Sequence, residues 1–204
     1  MITIIDIGMG NLLSISNMFA RLRVKSIITH NIGDIENAEK LILPGVGSFD
    51  NAMNSLNNNN LIPVLSRRVM IDKVPILGIC LGIQLFSKKS EEGNLPGLGW
   101  IDAETVRFHF NENRNMKIPH MGWNTVTVKD TESLFRGMNG EIRFYFVHSY
   151  YLKCNHEGDI LSTTPYGFEF VSSVHRDNIY GTQFHPEKSH KFGMQLLRNF
   201  VENA

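Results

Sequence analysis

The chain has 204 residues, 42% of them hydrophobic and 20% charged, which suits a soluble globular protein with a sizeable core. Twenty Lys+Arg residues balance twenty Asp+Glu, so no net field recruits nucleic acid or an anionic membrane. Two cysteines, Cys80 and Cys154, exclude a disulfide framework.

The N-terminus, Met1-Ile2-Thr3-Ile4-Ile5-Asp6, lacks the basic region and long apolar run of a signal peptide. No apolar run approaches the roughly 20 residues that span a bilayer. A cytoplasmic protein is the expectation.

Residues 2–7 are a β-branched run, read as a buried first strand. Gly8-Met9-Gly10 turns the chain, and Asn11 caps a helix with Leu12, Ile15, Phe19 and Leu22 on one face. Residues 26–29 and 40–43 are the second and third strands, the latter ending in Pro44-Gly45-Val46-Gly47. Helices are expected over 49–56 and 62–71, with Asn57 to Asn60 as a polar loop between them. Pro75-Ile76-Leu77-Gly78-Ile79-Cys80 is a buried strand, and a helix begins near Gly82.

Strands alternating with helices predict an α/β fold: an open, mostly parallel central sheet covered by helices on both faces. Ligands gather at the carboxyl ends of such strands. The Gly8–Asn11 turn, the Pro44–Gly47 loop and the Cys80 turn therefore belong at one edge. Further strand-like runs over 105–110, 124–128, 143–147, 159–163, 168–174 and 179–184 are read as extensions and antiparallel additions. Turns at Asn139-Gly140 and Arg176-Asp177-Asn178 separate some of them. Residues 189–203 close the chain as an amphipathic helix with Phe192, Leu196, Leu197, Phe200 and Val201 inward. With no internal repeat and no linker, residues 1–204 are expected to form one domain.

The chemistry centres on Cys80. Gly78-Ile79-Cys80-Leu81-Gly82 has the G-x-nucleophile-x-G pattern, which puts a nucleophile on a strained strand-to-helix turn. A buried cysteine that merely closes a core strand is the competing reading. A nucleophile needs a base, and His185 follows a strand and precedes the last helix. Glu187, two residues on, is placed to hold the imidazole in one tautomer. A capping His-Pro turn is the alternative for this string. His30, His109, His156 and His175 lie in polar surroundings and are read as solvated, while His120 and His148 receive no role. Acyl transfer also needs oxyanion donors. The N–H of Leu81 is one candidate and the Pro44–Gly47 loop supplies the other. No Cys/His/carboxylate spacing suggests a metal, no glycine-rich loop fits a phosphate or dinucleotide, and no cofactor is expected. Cys154, in a polar segment, is read as incidental.

Together, Gly78-Ile79-Cys80-Leu81-Gly82-Ile83-Gln84 and His185-Pro186-Glu187 resemble the triad-type glutamine amidotransferases. Closer strings are Asp6-Ile7-Gly8-Met9-Gly10-Asn11-Leu12, Pro44-Gly45-Val46-Gly47, Pro119-His120-Met121-Gly122-Trp123-Asn124, Tyr145-Phe146-Val147-His148-Ser149-Tyr150 and Gln183-Phe184-His185-Pro186-Glu187-Lys188-Ser189. They run from end to end, and they are similar to the glutaminase subunits of imidazole glycerol phosphate synthase. The resemblance implies the triad glutamine amidotransferase fold, with Cys80, His185 and Glu187 as the triad. It implies backbone oxyanion donors at Val46 and Leu81, and a glutamine site of Gly47, Gln84, Glu92 and Ser149. It also implies that Asn11, Trp123 and Lys188 face a separate synthase subunit around an ammonia passage, and a heterodimer with Met121 also near the contact is the expectation. The residues alone would make Trp123 a core aromatic.

Ile7 stands where the family usually carries Tyr, and the 98–103 and 111–115 stretches are less typical of the histidine-pathway branch. A related branch shares these motifs and supplies ammonia to a synthase that amidates a nucleotide sugar for surface polysaccharide. Two further readings are a γ-glutamyl or peptide hydrolase and an inactive binding scaffold. Gln84 and the Pro119–Asn124 string favour glutaminase over the first. The intact Cys80, His185 and Glu187 argue against the second.

Overall fold

Alternating side chains along the first strands supply two separate apolar cores, one on each face of a sheet. A computed structural model describes residues 1–110 and 116–204; the 111–115 stretch lies outside the described residues. The first half runs β1 (Ile2–Ile5), α1 (Leu12–Arg21), β2 (Ser26–Thr29), α2 (Ile32–Glu36), β3 (Lys40–Gly45), α3 (Phe49–Asn58), α4 (Leu61–Ser66), β4 (Ile76–Cys80) and α5 (Leu81–Leu85). The second half adds β5 (Ala103–Arg107), β6 (His120–Thr125), β7 (Thr127–Val128), β8 (Arg143–His148), β9 (Tyr150–Cys154), β10 (Ile160–Pro165), β11 (Glu169–Arg176), β12 (Ile179–Thr182) and α6 (His190–Asn203).

The main sheet has the order β2-β1-β3-β4-β12-β11-β10-β7, with β9 also paired to β11 and β5 to β9. Strands β2, β1, β3, β4 and β12 are mutually parallel. The pairings beyond β12 are antiparallel, so the whole sheet is mixed. A separate ribbon, β6 with β8, is also antiparallel. Leu41 and Leu43 point to one core with α3, α4 and α5. Ile42, Leu77 and Ile79 point to the other, with α1 and α6. Helices thus cover both faces, as expected.

Several expected boundaries shift. Strand β1 stops at Ile5 instead of residue 7, although Ile7 stays buried. Strand β3 continues through Pro44 to Gly45. Proline is tolerated there because the β1 pairing ends at Ile4↔Ile42, so no β1 carbonyl awaits a donor from residue 44. The expected Asn57–Asn60 loop is mostly helix: α3 runs through Asn58, and only Asn59 and left-handed Asn60 separate it from α4. The expected 62–71 helix is α4 followed by a π-helical turn over Arg67–Ile71. Strand β9 was not anticipated, because Leu152 is its single buried residue and its place comes from pairing with β5 and β11. The expected 124–128 strand is two, β6 and β7, and β6 begins four residues earlier, at His120. In α6, Leu196, Leu197 and Phe200 are buried, while Phe192 and Val201 are partly so. No helix among the described residues is long and apolar enough to cross a membrane.

Candidate active site

Cys80 ends β4 with φ 55° and ψ −106°, a conformation that side chains other than glycine rarely adopt. Its flanking glycines are sterically required. A Cβ on Gly82 would fall on the Leu43 carbonyl oxygen, and one on Gly78 would press into Phe86 and the Gly82–Ile83 backbone. The turn therefore closes strand onto helix only with glycine at both places. The parallel register sets Gly45 of β3 beside Cys80, which brings the Pro44–Gly47 loop to the thiol. Gly47 has φ +111°.

His185 stands three residues past the end of β12, where a 3₁₀ turn over Pro186–Lys188 begins. The turn is tied to β8: the His185 N–H donates to the Tyr145 carbonyl (2.9 Å), and Ser189 Oγ accepts from Tyr145 N–H (3.0 Å). His185 Nδ1 lies 2.8 Å from Glu187 Oε1, with both side chains buried. Burial opposes charge on the imidazole, but Cys80 and Glu187 together outweigh it and push His185 up to about 10. Among the described residues His185 Nε2 has no aligned hydrogen-bond partner.

One cavity of about 320 Å³ joins Cys80 and His185 to Val46, Gly47, Leu81, Gln84, Glu92 and Ser149, every one of them expected at the site. Pro119, Val147, His148 and Tyr150 complete its walls. Glu92 is held by the Phe49 N–H, which donates to its Oε2 (2.8 Å), and burial raises its carboxyl above the ordinary value. Leu81 opens α5, and the first N–H groups of a helix have no intrahelical acceptor.

Asn11 caps α1 and shares a small cavity with His185 and Glu187. Met121 and Trp123 project from β6, 61% and 41% exposed. Trp123 stacks on His190 (5.4 Å) instead of entering the core, so the bare expectation of a core aromatic does not hold. Lys188 Nζ lies 5.7 Å from the Tyr145 ring centroid. His175 also departs from expectation: it is half-buried and stacks on Tyr180 at 4.3 Å. Both cysteines are free, and burial, with Asp159 and Asp102, pushes the Cys154 thiol up to about 12. Among the described residues no group of three His, Cys, Asp or Glu gathers as a metal site.

Sequence reasoning assigned no role to Gln183, whose Nε2 donates toward Cys80 Sγ at 3.8 Å. Its place two residues before His185 was the available signal. The Val147 carbonyl, 3.8 Å from the same sulfur, carries no signal in sequence because it is backbone.

The chain matches the family "Glutamine amidotransferase class-I" over residues 3–204. It is 52% identical over 202 residues to imidazole glycerol phosphate synthase subunit HisH 2 of Pseudomonas aeruginosa, covering 99% of each chain. It is 53% identical over 204 residues to the HisH 2 of Methanococcus maripaludis, covering 100% of each. A solved glutamine amidotransferase shares the fold with a TM-score of 0.75 at 19% identity, over 98% of this chain and 97% of that one. The glutaminase domain of Trypanosoma brucei CTPS gives 0.67 at 14%, over 100% and 94%. The chain belongs to the class-I glutamine amidotransferases and, within them, to the family of HisH subunits.

Proposed function

We propose that this chain is a glutaminase that hydrolyses glutamine to glutamate and passes the ammonia to a separate synthase subunit, with imidazole glycerol phosphate formation in histidine biosynthesis as the outcome. The observation that carries this reading is one cavity lined by Cys80, His185, Gln84 and Glu92, with Glu187 bonded behind His185. Full-length identity to HisH subunits supports the pathway.

In this reading Cys80 Sγ attacks the side-chain amide carbon of glutamine, and the N–H groups of Leu81 and Val46 hold the oxyanion. His185 Nε2 gives its proton to the departing nitrogen, releasing ammonia and leaving a thioester on Cys80. His185 then takes a proton from water, which attacks the thioester carbonyl. Glutamate leaves and the Cys80 sulfur is regenerated. Gln84 and Ser149, with the Gly47 backbone, orient the substrate, and Glu92 pairs with its ammonium end.

Ammonia loses nucleophilicity when protonated in bulk water, so a partner must dock against the site. Asn11, Met121, Trp123 and Lys188 form that contact, in a cytoplasmic heterodimer whose joint activity is that of a lyase. Residues 1–204 serve it as one domain. The test is glutamate release together with identification of the chain that co-purifies. A (β/α)₈-barrel subunit that completes imidazole glycerol phosphate synthesis supports the reading. An ATP-dependent amidating synthetase as partner sinks the pathway assignment, and absence of glutaminase activity in the complex sinks the rest.

A further inference from the structure

Antiparallel pairing of β6 with β8 sets His120 directly opposite His148. Both are buried, 3% and 6% exposed, among Phe108, Phe146, Tyr166 and Phe170. Burial drives His120 down to about 4 and His148 down to about 3, so both rings are neutral near pH 7. A neutral imidazole has one donor and one acceptor nitrogen, and that fixes the direction of every bond in the cluster. Tyr150 O only accepts, so the 2.7 Å contact requires the proton on His148 Nδ1. His148 Nε2 then accepts, and His120 Nδ1 donates to it across 3.0 Å. His120 Nε2 accepts in turn from Asn124 Nδ2 (3.1 Å), whose Oδ1 accepts the Thr125 N–H.

The chain of bonds continues to the nucleophile. Gln84 Nε2 donates both to Tyr150 O (3.1 Å) and to Gln183 Oε1 (3.1 Å). Gln183 Nε2 donates toward Cys80 Sγ. A contiguous set of hydrogen-bonded groups thus links Asn124 in the β6–β8 ribbon to the thiol, with His148 and Gln84 both donating to the shared Tyr150 carbonyl. Two apolar residues would fill the His120–His148 site without needing three aligned hydrogen bonds, and burying polar rings is favourable only when all are satisfied. The expense of the arrangement points to a task beyond packing.

We propose that His120 is a positioning residue of the glutaminase site: its Nδ1–H holds His148 in one tautomer and orientation, and through Tyr150 O, Gln84 and Gln183 sets the donor aimed at the Cys80 thiol. The inference rests on the glutaminase reading and adds to it a residue outside the cavity wall. It also gives β6 two jobs, since Met121 and Trp123 are exposed on the same strand that carries the relay.

The test compares wild type, His120→Asn and His120→Gln as full chains mixed with the synthase subunit that co-purifies. Asn places its amide near the position of Nδ1 and keeps the donor to His148. Gln reaches the Nε2 position and loses that donor. His120→Asn should stay within about threefold of wild type in kcat/KM, and His120→Gln should fall about tenfold, as loss of one buried hydrogen bond implies. The two variants should melt at similar temperatures, since both remove the same ring. Equal kcat/KM in the two variants overturns the proposal. A second measurement needs no variant: ¹⁵N NMR of the wild-type imidazoles near pH 7 should find both rings protonated at Nδ1. A proton on Nε2 of either ring also overturns it. A wild-type complex with no glutaminase activity removes the glutaminase reading instead, and the inference with it.

Discussion

His185 and Glu187 stand two residues apart, and Nδ1 of the first lies 2.8 Å from Oε1 of the second with each side chain 2% exposed. The intervening Pro186 opens the 3₁₀ turn that folds the carboxylate back onto the ring. A buried carboxylate beside a buried imidazole favours the protonated ring and fixes which nitrogen faces Cys80.

Glu187→Gln should therefore leave the fold in place and lower glutaminase kcat by about 10²–10⁴, the range for a disabled acid–base group. Glutamate release by the complex measures it. A drop of less than about threefold would show that the ring needs no carboxylate.

The same pair gives stability a signed pH dependence. An unperturbed His titrates near 6.5, and here the folded value is pushed up to about 10 because Cys80 and Glu187 outweigh burial. The folded state then holds a proton that the unfolded chain releases between those values. The stabilisation is complete below about pH 6.5 and is lost as pH rises toward about 10. Melting of wild type should therefore fall more between pH 7 and pH 10 than melting of His185→Gln. Parallel curves would contradict the shift.

Gly82→Ala should destabilise by more than about 3 kcal/mol, because the new methyl group falls on the Leu43 carbonyl of the neighbouring strand. Backbone cannot rotate aside as a side chain can. Denaturant midpoints read the effect, and a loss under about 1 kcal/mol would mean that the elbow has slack.

Glu92→Gln should raise KM for glutamine about tenfold or more with a smaller change in kcat, since the proposed function pairs Glu92 with the substrate's ammonium. Gln can still accept the Phe49 N–H that holds residue 92 in place. Steady-state kinetics separate the two parameters, and an unchanged KM would remove Glu92 from the glutamine site.

On the proposed docking face, Trp123→Ala should weaken synthase binding by about 2 kcal/mol or more, the usual loss for a large aromatic near an interface centre. The melting temperature should change little, because the ring is 41% exposed and rests mainly on His190. Titration calorimetry measures the affinity. Unaltered binding would place the interface elsewhere.

Local pattern was enough to read the parallel half of the sheet, the Cys80 elbow and the His185-x-Glu187 pair. β-Branched runs, flanking glycines and a two-residue spacing all act over a few bonds, so they show in the order of residues. The register that sets Gly45 beside Cys80, the unanticipated strand β9, and the meeting of His120 with His148 were decided by tertiary structure. Those contacts join residues 19 or more positions apart, from Leu152 with Val171 upward, where strand pairing, and no local propensity, chooses the partner. The Gln84–Gln183 bond that leads to the thiol spans 99 residues and exists only because β12 lies beside β4.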